Sequence, residues 1–203
     1  SWGLKALDWA RTPSGWKIRG ENFYEWLSLS GEEPLGNKAS LGNRINAVKT
    51  LPFVIHVSSH PNKSSTLSLT NQLRKNGFDA HWASVRVSAD ILIYRVYVGR
   101  FSDWKQAHRF VQILRKKPFG GHATAIPYPF ALQVGEVNSL KEARILLESL
   151  RKSGFSGLLL VSYNEQVGTC FRVVVGAFKS EGNAYWMLKQ LKQFGFDGKL
   201  ISP

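Results

Sequence analysis

Five histidines, one cysteine and two strand arginines are the side chains here with the most chemistry to offer. The histidines are His56, His60, His81, His108 and His122, and the cysteine is Cys170. No His-Glu-x-x-His spacing, which would set two imidazoles on one helix face, occurs among them. His56 and His60 are four apart, but they end a strand-like run before Pro61, so they do not share a helical face. Cys170 has a neighbouring cation, Arg172, that would lower its pKa, yet no histidine is evident as its base, and an inert thiol is expected. A single cysteine excludes an intramolecular disulfide and a Cys-rich zinc site. The sequence contains no Gly-x-Ser-x-Gly elbow and no phosphate loop. These absences point away from an enzyme and towards binding.

Arg95 and Arg172 are more informative because they recur. An offset of 77 residues, without a gap, pairs Phe53 with Phe130, Gly77-Phe78 with Gly154-Phe155, and Leu114 with Leu191. The same offset pairs Tyr94-Arg95-Val96-Tyr97-Val98-Gly99-Arg100-Phe101 with Phe171-Arg172-Val173-Val174-Val175-Gly176-Ala177-Phe178. A register this long means two copies of one folded unit.

The elements that must position these residues follow from periodicity. In the first copy, short β runs at Phe53–Val57, Ala80–Val87 and Ile91–Val98 alternate with helices over 64–76 and after Asp103, and His122–Ile126 closes the unit. In the second, strands are expected at Phe130–Val134, Leu158–Ser162, Cys170–Val175 and Lys199–Ser202. Ser139 with Glu142 forms a capping box, and a second helix carries Ala184, Met187, Leu188 and Leu191. The order is β-α-β-β-α-β twice. The expected fold class is α+β: two ferredoxin-like modules, each a four-stranded antiparallel sheet with two helices on one face. The expected boundaries are an aromatic-rich arm and linker over 1–50, module 1 over 51–127 and module 2 over 128–203.

Strict alternation places Val54, His56, Ser58, Ile93, Arg95 and Tyr97 on the open sheet face of the first copy. It places Ala131, Gln133, Gly135, Cys170, Arg172 and Val174 on that of the second. A planar amide or imidazole, a guanidinium and an aromatic ring suit a sugar, with directed hydrogen bonds from the first two and ring packing on the apolar face of a pyranose. The alternative is that Arg95 and Arg172 are ordinary solvent-exposed strand residues, repeated by duplication.

In these motifs the chain resembles the SPOR family, the sporulation-related repeat of bacterial cell-envelope proteins. Phe130-Ala131-Leu132-Gln133-Val134-Gly135 is similar to the family's first strand, and both third-strand octapeptides are similar to its Tyr-Arg-Val-x-Val-Gly-Pro-Phe pattern. The resemblance covers 51–203. It implies a non-catalytic module that binds peptidoglycan glycan strands on the open sheet face, in the periplasm, and so localises or anchors its host at the cell wall during division. No cofactor or metal is implied. Carried over residue by residue, it assigns glycan binding to Gln133 and Arg172 in the second copy, and to His56, Ser59 and Arg95 in the first, with Tyr97 added from the alternation above. Glu136 stands where the family has Ser, and Ile93 and Cys170 stand where an aromatic is often found. The short segment Ile126-Pro127-Tyr128-Pro129 leaves almost no linker, so the copies are expected to pack as a rigid pair.

Residues 1–50 lie outside the resemblance. Trp2, Trp9, Trp16 and Phe23 recur every seven residues and Trp26 follows, but Pro13, Gly15 and Gly20 interrupt any helix, leaving short pieces joined by turns. These aromatics dock either on the modules or on a protein partner of an envelope complex. Residues 31–50 read as a linker. The chain starts at Ser1 without a signal peptide, which reads as an anchor or targeting segment removed, and no run of apolar residues is long enough to span a membrane.

The net charge is +13, and it is uneven: 11 basic against 3 acidic residues in 51–127, 7 against 5 in 1–50 and 9 against 6 in 128–203. Such a surface attracts anionic partners or simply keeps the chain soluble. An RNA-recognition module shares the β-α-β-β-α-β order, but its aromatic third-strand signature is absent and only Tyr97 is placed to stack, so no nucleic acid is expected. A structural part of an envelope machine, working through protein contacts, is the other reading.

Overall fold

The computed structural model describes residues 9–12, 15–18, 50–88, 90–164 and 168–203. Two short strands, β1 (Trp9–Thr12) and β2 (Gly15–Ile18), pair antiparallel. Trp2 and Trp26 lie outside the described residues, as does nearly all of the expected linker.

Module 1 runs β3 (Phe53–His60), α1 (Lys63–Lys75), β4 (Ala80–Arg86), β5 (Leu92–Phe101), α2 (Trp104–Arg115) and β6 (Thr124–Pro127). Module 2 runs β7 (Phe130–Val137), α3 (Leu140–Lys152), β8 (Gly157–Asn164), β9 (Gly168–Phe178), α4 (Glu181–Gln193) and β10 (Lys199–Ile201). The sheets have the equivalent orders β4-β5-β3-β6 and β8-β9-β7-β10, all neighbours antiparallel. The fold is α+β, two ferredoxin-like modules in tandem.

Local chemistry explains the helix starts. Asn62 Oδ1 accepts from the Ser65 N–H at 2.9 Å, Asp103 Oδ1 from the Lys105 N–H at 2.9 Å and Ser139 Oγ from the Glu142 N–H at 3.1 Å. Each satisfies one of the amides that a first helical turn leaves unpaired. The apolar stripe of α2 (Ala107, Val111, Leu114) and that of α3 (Ala143, Leu150) are buried on their own sheets.

Alternation along β3 and β7 is broken by a bulge. His56 pairs with Tyr97, but Ser58 pairs with Val96 and Ser59 with Arg95, so Val57 is the extra residue. In module 2, Gln133 pairs with Val174, Gly135 with Val173 and Glu136 with Arg172, so Val134 is extra. A bulge shifts the face of every later residue. Ser58 and Gly135, expected on the open face, therefore lie on the helix side. A Cβ on Gly135 would sit 2.4 Å from Leu146 Cδ2 of α3.

A second irregularity sits at the end of β5 and β9. Gly99 and Gly176 adopt φ of +59° and +75°, a region that favours glycine. The turn returns Phe101 and Phe178 to the core, with each ring folded against its glycine.

The modules are packed together. Val54, Ala83 and Tyr97 of module 1 share one apolar cluster with Val175, Ala177, Phe178, Ala184 and Met187 of module 2. The Arg86 guanidinium lies over the Trp186 ring at 5.6 Å, and Arg74 Nη2 donates to Ser156 Oγ at 3.1 Å. The start of module 1 also reaches across: the Leu51 N–H donates to the Pro203 carbonyl, and the Leu51 side chain is buried with Ala131, Leu158, Leu160 and Val174 on the open face of module 2.

Candidate functional site

The two bulges build two equivalent polar strips. In module 1, the bulge at Val57 puts His56 and Ser59 on one face, with His56 Nε2 3.0 Å from Ser59 Oγ. Arg95 lies across from Ser59 on β5, and its Nη1 donates to Tyr128 Oη at 3.1 Å. In module 2, Gln133 Nε2 donates to Glu136 Oε2 at 3.1 Å, and Arg172 faces Glu136 across the strand pair. Gln133 and Arg172 are half-buried and Glu136 is exposed. Arg172 Nε is buried without a hydrogen-bond partner among the described residues. His56 is held below its ordinary pKa by burial first and by the Arg95 charge second, so it is a neutral donor–acceptor near pH 7.

The structure thus brings together His56, Ser59 and Arg95 as one set, and Gln133 and Arg172 with Glu136 as the other. It does not add Tyr97 to the first. Tyr97 lies on the face predicted by alternation, but it is 0% exposed because module 2 covers that part of the sheet. Its hydroxyl donates to the Ala177 carbonyl at 3.4 Å, and its ring contacts those of His56, His81 and Tyr128. Burial pushes the Tyr97 hydroxyl pKa up. A ring enclosed in this way has no face left for a pyranose, so Tyr97 is a junction residue rather than a glycan contact. In module 2, Ala131, Val174 and Cys170 are likewise buried rather than open.

Sequence reasoning passed over the residues that make the junction. Arg100 is 4% exposed and has no carboxylate partner among the described residues. Its Nη1 donates to the carbonyls of Leu51 (3.3 Å) and Tyr128 (3.2 Å), and its Nη2 to those of Phe130 (2.8 Å) and Gly176 (3.0 Å). Burial pulls its pKa down to about 10, which still leaves it charged near pH 7. His81 is fully buried beside Tyr97, with neither ring nitrogen hydrogen-bonded among the described residues. Burial first, then the charges of Arg100 and Arg74, push its pKa down to about 3. The signal was present in the repeat: Arg100 is matched by Ala177, His81 by Leu158 and Tyr97 by Val174. A polar residue whose twin is apolar marks a place where the copies do different work.

Each module of this tandem α+β pair thus carries a strip of hydrogen-bonding side chains on its sheet. The SPOR domain family model matches residues 52–123 and again 127–202, most of the chain, so the protein belongs to the SPOR domain family. SPOR domains are non-catalytic modules that bind peptidoglycan and occur in periplasmic or envelope-associated proteins, and a cell-wall-binding role follows from membership. No curated protein matches the chain. Among solved structures, two mutant chlorite dismutases from Candidatus Nitrospira defluvii are similar over 74% and 76% of this chain and 91% and 92% of their own, at 10% and 11% identity. Their TM-scores are 0.20 and 0.18, too low to carry any argument.

Proposed function

We propose that the chain binds glycan strands of peptidoglycan chiefly through the Gln133–Glu136–Arg172 strip of module 2, and so holds an envelope protein at the cell wall in the periplasm. The observation that carries this reading is the bulge at Val134, which sets an amide, a carboxylate and a guanidinium side by side on an accessible part of the sheet. Those groups supply donors and acceptors for sugar hydroxyls and N-acetyl groups. His56, Ser59 and Arg95 form a second, weaker strip at the rim of the junction, because Arg95 is already engaged by Tyr128. A protein-assembly role is the competing reading, favoured by Tyr185 (69% exposed) and Ile145 (62% exposed) on the helices of module 2.

The test is co-sedimentation with purified sacculi, before and after amidase removal of stem peptides, across a salt titration. Binding should rise after stripping and survive moderate salt. Arg172→Ala removes a charged donor worth about 1.5–3 kcal/mol, so the affinity should fall about ten- to hundredfold with the circular dichroism spectrum unchanged. Unchanged affinity would remove Arg172 from the site. Binding that vanishes with modest salt would leave charge attraction alone and favour the protein-assembly role.

A further inference from the structure

The duplication provides an internal control for surface charge. In module 2, α3 carries Glu142 and Glu148 and α4 carries Glu181. In module 1, neither α1 nor α2 contains an acidic residue, and none occurs anywhere between Asp103 and Glu136. On α1 much of the charge is engaged, since Arg74 bonds Ala80 and Ser156 and Lys63 lies over Trp82. On α2 it is not. Ala107, Val111 and Leu114 face the sheet, so the helical period turns Lys105, Arg109 and Lys116 outward together, and all three are exposed. Ile113 (38% exposed) lies beside this cationic ridge, whereas Trp104 (45% exposed) sits nearer the core edge of the helix, with its ring edge-on to Phe53 and stacked on His108. The ridge points away from module 2, because α2 covers the sheet face opposite Tyr97.

We propose that the outer face of α2 is a docking surface for an anionic phospholipid membrane. Cations without intervening carboxylates gain from the negative potential of such a surface, and each contributes separately. The adjacent Ile113 distinguishes a bilayer from a soluble polyanion: a branched alkyl group finds apolar depth at the headgroup boundary, and a polyanion offers none. Among the described residues no helix is long and apolar enough to cross a membrane, so the contact is peripheral. This surface is separate from the glycan strip and would let one chain touch membrane and wall together.

The experiment is co-sedimentation of the full chain with vesicles of phosphatidylcholine alone and of phosphatidylcholine mixed with phosphatidylglycerol. Binding is expected only to the mixed vesicles. The triple variant Lys105→Glu, Arg109→Glu, Lys116→Glu should weaken it about tenfold or more while leaving sacculus binding intact. A control with the same charge change on α3, Lys141→Glu, Arg144→Glu, Lys152→Glu, should bind nearly as the parent does. Ile113→Ser, at unchanged charge, should weaken binding severalfold. Equal losses in the two triple variants would reduce the effect to overall charge and overturn the proposal. So would an Ile113→Ser protein that binds as well as the parent, or a chain that ignores both vesicles while binding soluble polyphosphate.

Discussion

Replacing Arg100 with methionine removes a side chain that donates to four carbonyls around the module junction. Each such bond from a charged donor is worth about 2 kcal/mol, giving a gross loss of about 8 kcal/mol. Set against this is the burial of a guanidinium without a counter-charge. Burial holds its pKa down at about 10, and the neutral methionine recovers that desolvation cost, on the order of 3 kcal/mol. The expected net destabilisation is about 3–5 kcal/mol, at the upper end of what single substitutions do. Because two of the four carbonyls, Phe130 and Gly176, belong to module 2 strands, the loss should fall on coupling between modules as well as on module 1. Urea unfolding followed by far-UV circular dichroism should show a single transition in the parent and a broadened or split one in Arg100→Met. Arg109→Met, which removes an exposed cation from α2, should stay within about 0.5 kcal/mol of the parent. A sharp Arg100→Met transition within 1 kcal/mol of the parent would refute the assignment of Arg100 as the tie between modules.

Three further outcomes follow from the same geometry. His81 titrates near 6.5 when unfolded and near 3 when folded, so the unfolded chain takes up a proton first and stability should fall as pH drops from about 6.5 towards 3, by up to about 4–5 kcal/mol. His81→Leu, which borrows the side chain of its twin Leu158, should flatten that acid limb in urea titrations at several pH values, and an unchanged slope would assign the loss to other groups. Gly176→Ala should cost about 1–3 kcal/mol in thermal unfolding, because the residue has φ of +75° and its new Cβ would lie 2.4 Å from Phe178 Cζ. Tyr97→Phe loses only a 3.4 Å hydrogen bond, so it should cost about 1 kcal/mol or less and leave sacculus affinity unchanged, whereas weakened binding would return Tyr97 to the glycan site.

Much of the fold was legible because strands and helices announce themselves by period, and because the second copy repeated the first. The caps at Asp103 and Ser139 were readable from single residues for the same local reason. The bulges were not. A strict period of two puts Ser58 and Gly135 outward, and only the paired register shows that Val57 and Val134 are extra residues. Ser59, matched through the family pattern rather than through alternation, lies beside His56 because of the bulge. Tyr97 shows the other limit: alternation gives the face of a sheet but says nothing of what covers it. The cover comes from residues about 80 positions away, such as Ala177, whose approach depends on how the modules pack.

The asymmetry at the last turn of β5 and β9 also decides how far this architecture can extend. Module 1 offers its sheet face to module 2 in a head-to-tail contact, and contacts of that kind, repeated, build open filaments. Module 2 cannot receive a third copy in the same way. Where the first copy has Arg100 the second has Ala177, with no donor for incoming carbonyls, and Leu51 already occupies the corresponding part of its sheet. Leu51, at the start of module 1, thus caps the face of module 2 on which the same stacking would otherwise be repeated.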